Sequence, residues 1–113
     1  MGTFISKYLK KRGAITQVEI NGTVTERSTF SPFKTRAGAN ITVTLRTATN
    51  IFVVSSVTDS NGDYLLTNIN PGSYVLTADN GFDNDFADNS RNLTITSGND
   101  VTQDFTLDIN QIF

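Results

Sequence analysis

Short runs of alternating apolar and polar residues recur along the chain, and turn-forming residues separate them. One turn signal is DSNGD at residues 59–63, and a second is NPG at residues 70–72. Asn, Asp and Gly adopt the backbone angles that tight turns need, and successive side chains of a strand point to opposite faces. The stretch 57–78 therefore predicts consecutive β-hairpins, with Tyr74 and Leu76 facing inward after the second turn.

The same alternation covers most of the chain and predicts seven strands, which is typical of an antiparallel two-sheet sandwich. Phe52 and Val54 are expected to share one face of the third strand, at about 51–58. Two segments fall outside the pattern: a long connection at 26–39 and an Asp/Asn-rich loop at 79–90. The predicted core consists of Val18, Ile20, Ile41, Val43, Leu45, Tyr64, Leu66, Tyr74, Leu76, Leu93, Ile95, Phe105 and Leu107.

The N-terminal residues have a different pattern. Their apolar side chains recur at the spacing of one helix face, and basic residues follow closely, so we predict a short amphipathic helix of about two turns. A helix this short needs a surface to pack on. The chain is therefore divided into a docking arm at 1–13 and a sandwich domain at 14–113. The predicted interaction residues of the arm are Phe4, Ile5, Tyr8, Leu9, Lys10, Lys11 and Arg12.

Composition restricts the chemistry that the chain can perform. Its 113 residues include neither Cys nor His. Disulfides and thiol chemistry are thereby excluded, and the usual general base and neutral metal ligand are missing. We therefore expect a protein that is not an enzyme and needs no cofactor.

Charge and hydropathy bear on partners and location. The net charge is −2, and the first twelve residues carry +4, which leaves −6 on the remainder. This balance does not favour nucleic acid as a partner, and no apolar run reaches the ~20 residues of a membrane span. The basic residues are not followed by the apolar segment of a secretory signal. The sequence predicts a protein made in the cytoplasm and incorporated in a virion, with an extracellular surface as the alternative.

One cluster of oxygen-bearing side chains has the spacing of a calcium loop. Asp59, Asn61 and Asp63 alternate along the first turn. Ca²⁺ takes six to eight oxygen ligands, and an EF-hand-like loop ends in a bidentate Glu that is missing here. The simpler interpretation is a hairpin turn, and calcium binding is the second hypothesis.

Three short motifs together resemble a known family. They are Gly22-x-Val24, then Thr58-Asp59-x-x-Gly62-x-Tyr64, and finally Pro71-Gly72-x-Tyr74. This arrangement resembles carboxypeptidase regulatory-like domains and the related collagen-adhesin B-type repeats over roughly residues 17–109. The resemblance implies a seven-stranded transthyretin-like (prealbumin-like), Ig-like sandwich. It implies little about activity, because such modules do many jobs and few of them are enzymes.

Two functional hypotheses remain. The first is a structural or assembly protein, such as a phage capsid or tail accessory protein, a decoration protein or a filament subunit. It would dock through residues 1–13 onto another protein, as a homo-oligomer or in a larger assembly. The second is a surface adhesive module that recognises protein or carbohydrate through the loops at 26–39 and 79–90.

Overall fold

The computed structural model describes residues 16–79 and 89–113, and both ranges consist of strands, turns and loops. The predicted arm and its boundary at residue 13 lie outside the described residues, as does most of the loop at 79–90. The strands are β1 (Val18–Ser28), β2 (Thr35–Ala37), β3 (Thr42–Thr47), β4 (Phe52–Val57), β5 (Asp63–Ile69), β6 (Gly72–Asp79), β7 (Ser90–Ile95), β8 (Val101–Thr102) and β9 (Phe105–Ile109).

The strands form two sheets that enclose one core. In the first sheet β1 lies between β2 and β5 and also pairs with β8 and β9, while the second has the order β4-β3-β6-β7. Buried apolar side chains of both sheets meet between them. The predicted all-β sandwich is thus confirmed.

Two details of the predicted topology are wrong. The described ranges hold nine strands rather than seven, because β2 is an additional short strand and the last predicted strand is divided into β8 and β9. The sandwich is not purely antiparallel either, because β1 pairs in parallel with β8 and β9. Parallel neighbours cannot be joined by a tight turn, and here six strands, β2 to β7, separate β1 from its parallel partners along the chain.

The connection predicted at 26–39 is shorter than expected. Residues 26–28 continue β1, and residues 35–37 form β2, which pairs back onto β1. Glu26 and Ser28 are buried, and Glu26 accepts a hydrogen bond from Arg36 Nε at 2.8 Å. In a sequence, an acidic residue such as Glu26 usually indicates that a buried strand has ended. Glu26 is nevertheless buried, because the guanidinium of Arg36 on the neighbouring strand pairs with its carboxylate.

The predicted core is confirmed for all its members except Leu93, which is half-buried against the core. The expectation that Phe52 and Val54 share one face is wrong, because Phe52 is 58% exposed while Val54 is half-buried against the core. A register shift in β4 between Val54 and Phe52 puts an extra residue, Val53, opposite β3. Such a bulge interrupts the alternation of faces, so Phe52 does not follow Val54 into the core.

A second irregularity adds a core residue that the alternation does not predict. The pairing of β5 with β1 shifts between Leu66 and Ile69, and Asn68 has a positive φ of 61°. Asn tolerates this left-handed conformation better than most residues. The shift turns Ile69 inward, and its side chain is 1% exposed.

Candidate functional site

The turn at residues 59–63 uses its polar groups to hold itself together. Asp59 Oδ1 accepts the backbone N–H groups of Asn61 at 2.9 Å and Asp63 at 3.0 Å. Asp63 Oδ1 accepts the hydroxyl of Thr23 at 2.7 Å. One oxygen of each carboxylate is therefore engaged within the fold. Residues 16–79 and 89–113 contain no group of three or more His, Cys, Asp or Glu that could hold a metal ion. Calcium binding at this turn stays a prediction, and the geometry explains the three residues as turn formers.

The glycine of this turn is required by a close approach to β1. Gly62 has a φ of +85°, and a Cβ on it would lie 2.4 Å from the carbonyl oxygen of Val24. The backbone N–H of Val24 donates in turn to the carbonyl of Gly62 at 2.8 Å. Only glycine combines this backbone conformation with this contact. The motif residues at 22–24 and 58–64 are therefore parts of one packing unit.

The tyrosines of the motifs have structural roles. Tyr64 donates its hydroxyl hydrogen bond to the Gln103 carbonyl, and Tyr74 donates to the Asn70 carbonyl at 2.6 Å. Burial, and to a lesser degree the charge of Asp104, raises the pKa of Tyr64 well above its usual value. A phenol with a raised pKa keeps its proton, so Tyr64 acts as a hydrogen-bond donor and not as a base.

A surface that the sequence did not single out lies along β4. This strand is an edge of the second sheet and bonds to β3 alone among the described strands. Ile51, Phe52, Val53 and Val57 are all exposed there. An open edge with apolar side chains is a template for pairing with another chain. The sequence feature that could have indicated this surface is the absence of any charged residue from residue 47 to 58.

A shallow groove of about 430 Å³ opens at the far end of β1. Its lining residues are Arg27, Ser28, Thr29, Phe33 and Asp108. Arg27 Nε and Nη2 both lie 2.7 Å from Asp108 Oδ1, and Phe33 beside this pair is 69% exposed. Pairing of β1 with β9 puts Arg27 opposite Asp108, a match of distant residues that sequence spacing could not reveal.

The loop at 26–39, one of the two loops that the sequence predicted as binding elements, presents aromatic side chains to the surface. Phe33 and Phe30 in the first loop are exposed, and Phe33 contributes to the groove. Residues 80–88 of the second loop lie outside the described residues, as do all the predicted interaction residues of the arm. No helix in the described part of the chain is long and apolar enough to cross a membrane.

Comparison with known families and structures agrees with this architecture. Residues 19–108 match the model of the carboxypeptidase regulatory-like domain, which is most of the chain. A search of curated protein sequences gives no match.

Three solved structures illustrate the similarity of fold. A candidate carbohydrate-binding protein of Pseudomonas aeruginosa matches with a TM-score of 0.61 and 17% identity, over 81% of this chain and 89% of that one. The minor pilin GBS52 of Streptococcus agalactiae matches with a TM-score of 0.64 and 13% identity, over 87% of this chain and 47% of the pilin. The pilus 2b backbone protein of group B streptococcus matches with a TM-score of 0.59 and 13% identity, over 82% and 41%. The chain therefore spans less than half of each pilus protein.

Proposed function

We propose, from the premise that this chain belongs to the carboxypeptidase regulatory-like domain family, that it is a non-enzymatic structural module that joins proteins into an assembly. The observation that carries the proposal is the apolar, uncharged edge strand β4. Exposed contiguous apolar surface on a soluble domain marks an interaction site. The similarity to a minor pilin and a pilus backbone protein supports the same class of role.

In this proposal residues 1–13 act as the docking arm. Phe4, Ile5, Tyr8 and Leu9 would pack on another subunit, because burying four large apolar side chains is favourable at ~25 cal/mol per Å². The basic residues of the arm would face the acidic remainder of a neighbouring copy, which carries −6. An extracellular surface is the setting that we favour. A virion is the alternative setting and depends on the predicted arm alone.

The test is the mass of the particles in solution, measured by light scattering over a range of concentrations. The full chain is expected to associate, and a variant with Tyr8→Asp and Leu9→Asp is expected to associate more weakly. A matched control, Thr3→Asp, adds a charge outside the predicted apolar face. A full chain that stays monomeric at every concentration and binds no neighbour would overturn the assembly role.

A second function is favoured by the groove at the end of β1. Phe33 offers an exposed aromatic face. The adjacent Arg27–Asp108 pair offers polar groups that can form hydrogen bonds with the hydroxyls of a ligand. Ligand sites commonly combine apolar contact area with a few placed polar groups. This combination suits a saccharide, and one protein of similar fold is a candidate carbohydrate-binding protein.

Glycan-array binding tests this second function. Binding should be lost in Phe33→Ala and kept in Phe30→Ala, since Phe30 is exposed in the same loop but does not line the groove. Equal binding by both variants would show that the groove is not the site.

A further inference from the structure

Within residues 16–79 and 89–113, one hydrogen-bonding side of the edge strand β4 has no partner strand. Thr58 donates its backbone N–H to the Ile41 carbonyl at 2.9 Å, and Ser56 and Val54 occupy the equivalent positions opposite β3. Bonding alternates along an antiparallel pair. The backbone N–H and C=O groups of Ser55 and Val57 therefore point away from β3, towards the open edge.

Three of the features that usually protect such strands are missing from this edge, although β4 contains the bulge at Val53. In natural proteins, charged residues, proline or a very short length usually keep an edge strand from pairing with another chain. From residue 47 to 58 the chain has no charge and no proline, and β4 is six residues long. The opposite edge of the same sheet differs, because β7 carries Arg91, which also lies 5.5 Å over the Phe105 ring.

We propose that the occupant of this edge is β4 of a second copy, paired antiparallel, so that the two four-stranded sheets become one continuous sheet. A strand without charge can lie against its own copy without repulsion, whereas like charges directly opposite each other are destabilising. The inference rests on the assembly role proposed above and names its partner. The proposed dimer uses β4 and not the arm at residues 1–13. An experiment can therefore contradict the β4 dimer without contradicting docking through the arm.

The free backbone groups define the register of this dimer. Pairing about a two-fold axis at Ser55 brings the Ser55 residues of the two copies face to face. It also puts Val53 of each copy opposite Val57 of the other. Val53, Ser55 and Val57 alternate with half-buried residues and are exposed on the outer face of the sheet. Two apolar cross-strand pairs thus form, of the kind that stabilises sheets.

The register can be tested by a disulfide, because the chain has no cysteine. In Ser55→Cys the two thiols would face each other across the axis, at a Cα separation within the ~4.4–6.8 Å that disulfides span. Mild oxidation is expected to give a covalent dimer on a non-reducing gel. The control is Thr94→Cys, an exposed residue of β7. Cross-linking of Ser55→Cys no greater than that of Thr94→Cys would overturn the proposal.

A second variant measures the association itself. Ser55→Lys puts two cations opposite each other and is expected to weaken dimerisation at least tenfold by sedimentation, while Ser55→Thr dimerises as the full chain does. Circular dichroism verifies that each variant folds. If Ser55→Lys leaves the dimer unchanged while Tyr8→Asp/Leu9→Asp abolishes it, the arm carries assembly and the β4 interface is wrong. Loss of the dimer in Ser55→Lys alone supports β4.

Discussion

Residues 52–57 and residues 58–64 follow each other in the chain, yet they use their side chains in opposite ways. In the second segment Thr58 is buried and accepts the Ile41 N–H at 2.9 Å while it donates to the Gly38 carbonyl. In the first segment, Phe52 and Val57 expose more than half of their side-chain surface. Residues 58–64 contain one of the family motifs, and the contacts of these residues stabilise the fold. The surface that we assign to assembly lies outside the motif.

The largest effect is expected in the core that both segments help to enclose. Leu76 is fully buried, so Leu76→Ala should lower the free energy of unfolding by ~2–5 kcal/mol. Leu65→Ala is the matched control, because Leu65 lies in β5 with 49% of its surface exposed. Urea titration of both variants measures the difference. Equal losses would contradict the assignment of the core.

A somewhat smaller loss is expected where the motif packs on β1. A Cβ on Gly22 would lie 2.0 Å from the carbonyl oxygen of Gln103 and 2.9 Å from the Tyr64 ring. Backbone must therefore shift in Gly22→Ala, and we expect a loss of ~1–3 kcal/mol. A chemical denaturation midpoint equal to that of the unsubstituted chain would show that β1 and residue 103 are not in contact.

The third prediction concerns the hydroxyl of Tyr64. Tyr64→Phe removes its hydrogen bond to Gln103 and should cost ~0.5–1.5 kcal/mol at neutral pH. The pKa of Tyr64 is raised in the folded state, so above the usual pKa of ~10 the folded chain binds more protons than the unfolded chain. Stability should therefore fall as pH rises above that value, by up to ~1.4 kcal/mol per pH unit from this group.

Lysines and arginines also titrate in alkaline solution. The contribution of Tyr64 to the pH dependence of stability is therefore obtained by comparing the unsubstituted chain with Tyr64→Phe. The difference in unfolding free energy between the unsubstituted chain and Tyr64→Phe should shrink as pH is raised. A difference that stays constant from neutral pH to the alkaline limit of folding would contradict the role given to Tyr64.

The smallest effect is expected at the edge. Val57→Thr replaces an exposed side chain on β4 by another β-branched residue, so stability should change by no more than ~0.5 kcal/mol. The same substitution is expected to weaken the dimer through the lost contact with Val53 of the second copy. Parallel thermal melting and sedimentation measure the two properties. A large loss of monomer stability would mean that β4 belongs to the core rather than to an interface.

Much of the fold could be predicted from local patterns. Alternation fixed which residues of β3, β6 and β9 face inward, and the motifs indicated the family. The failures have specific causes. Bulges near Val53 and Asn68 exposed Phe52 and buried Ile69, and a period of two residues cannot anticipate an inserted residue.

By itself the sequence determined the two-sheet β-sandwich, its turns and most of its core, because these depend on side-chain alternation and on the backbone freedom of Gly, Asn and Pro. Tertiary structure alone decided three other features: the parallel pairing of β1 with β9, the Arg27–Asp108 groove that results, and the position of β4 at the edge of the described second sheet. Each depends on which distant strands become neighbours. That choice is made by the packing of the whole core, and no local pattern contains it.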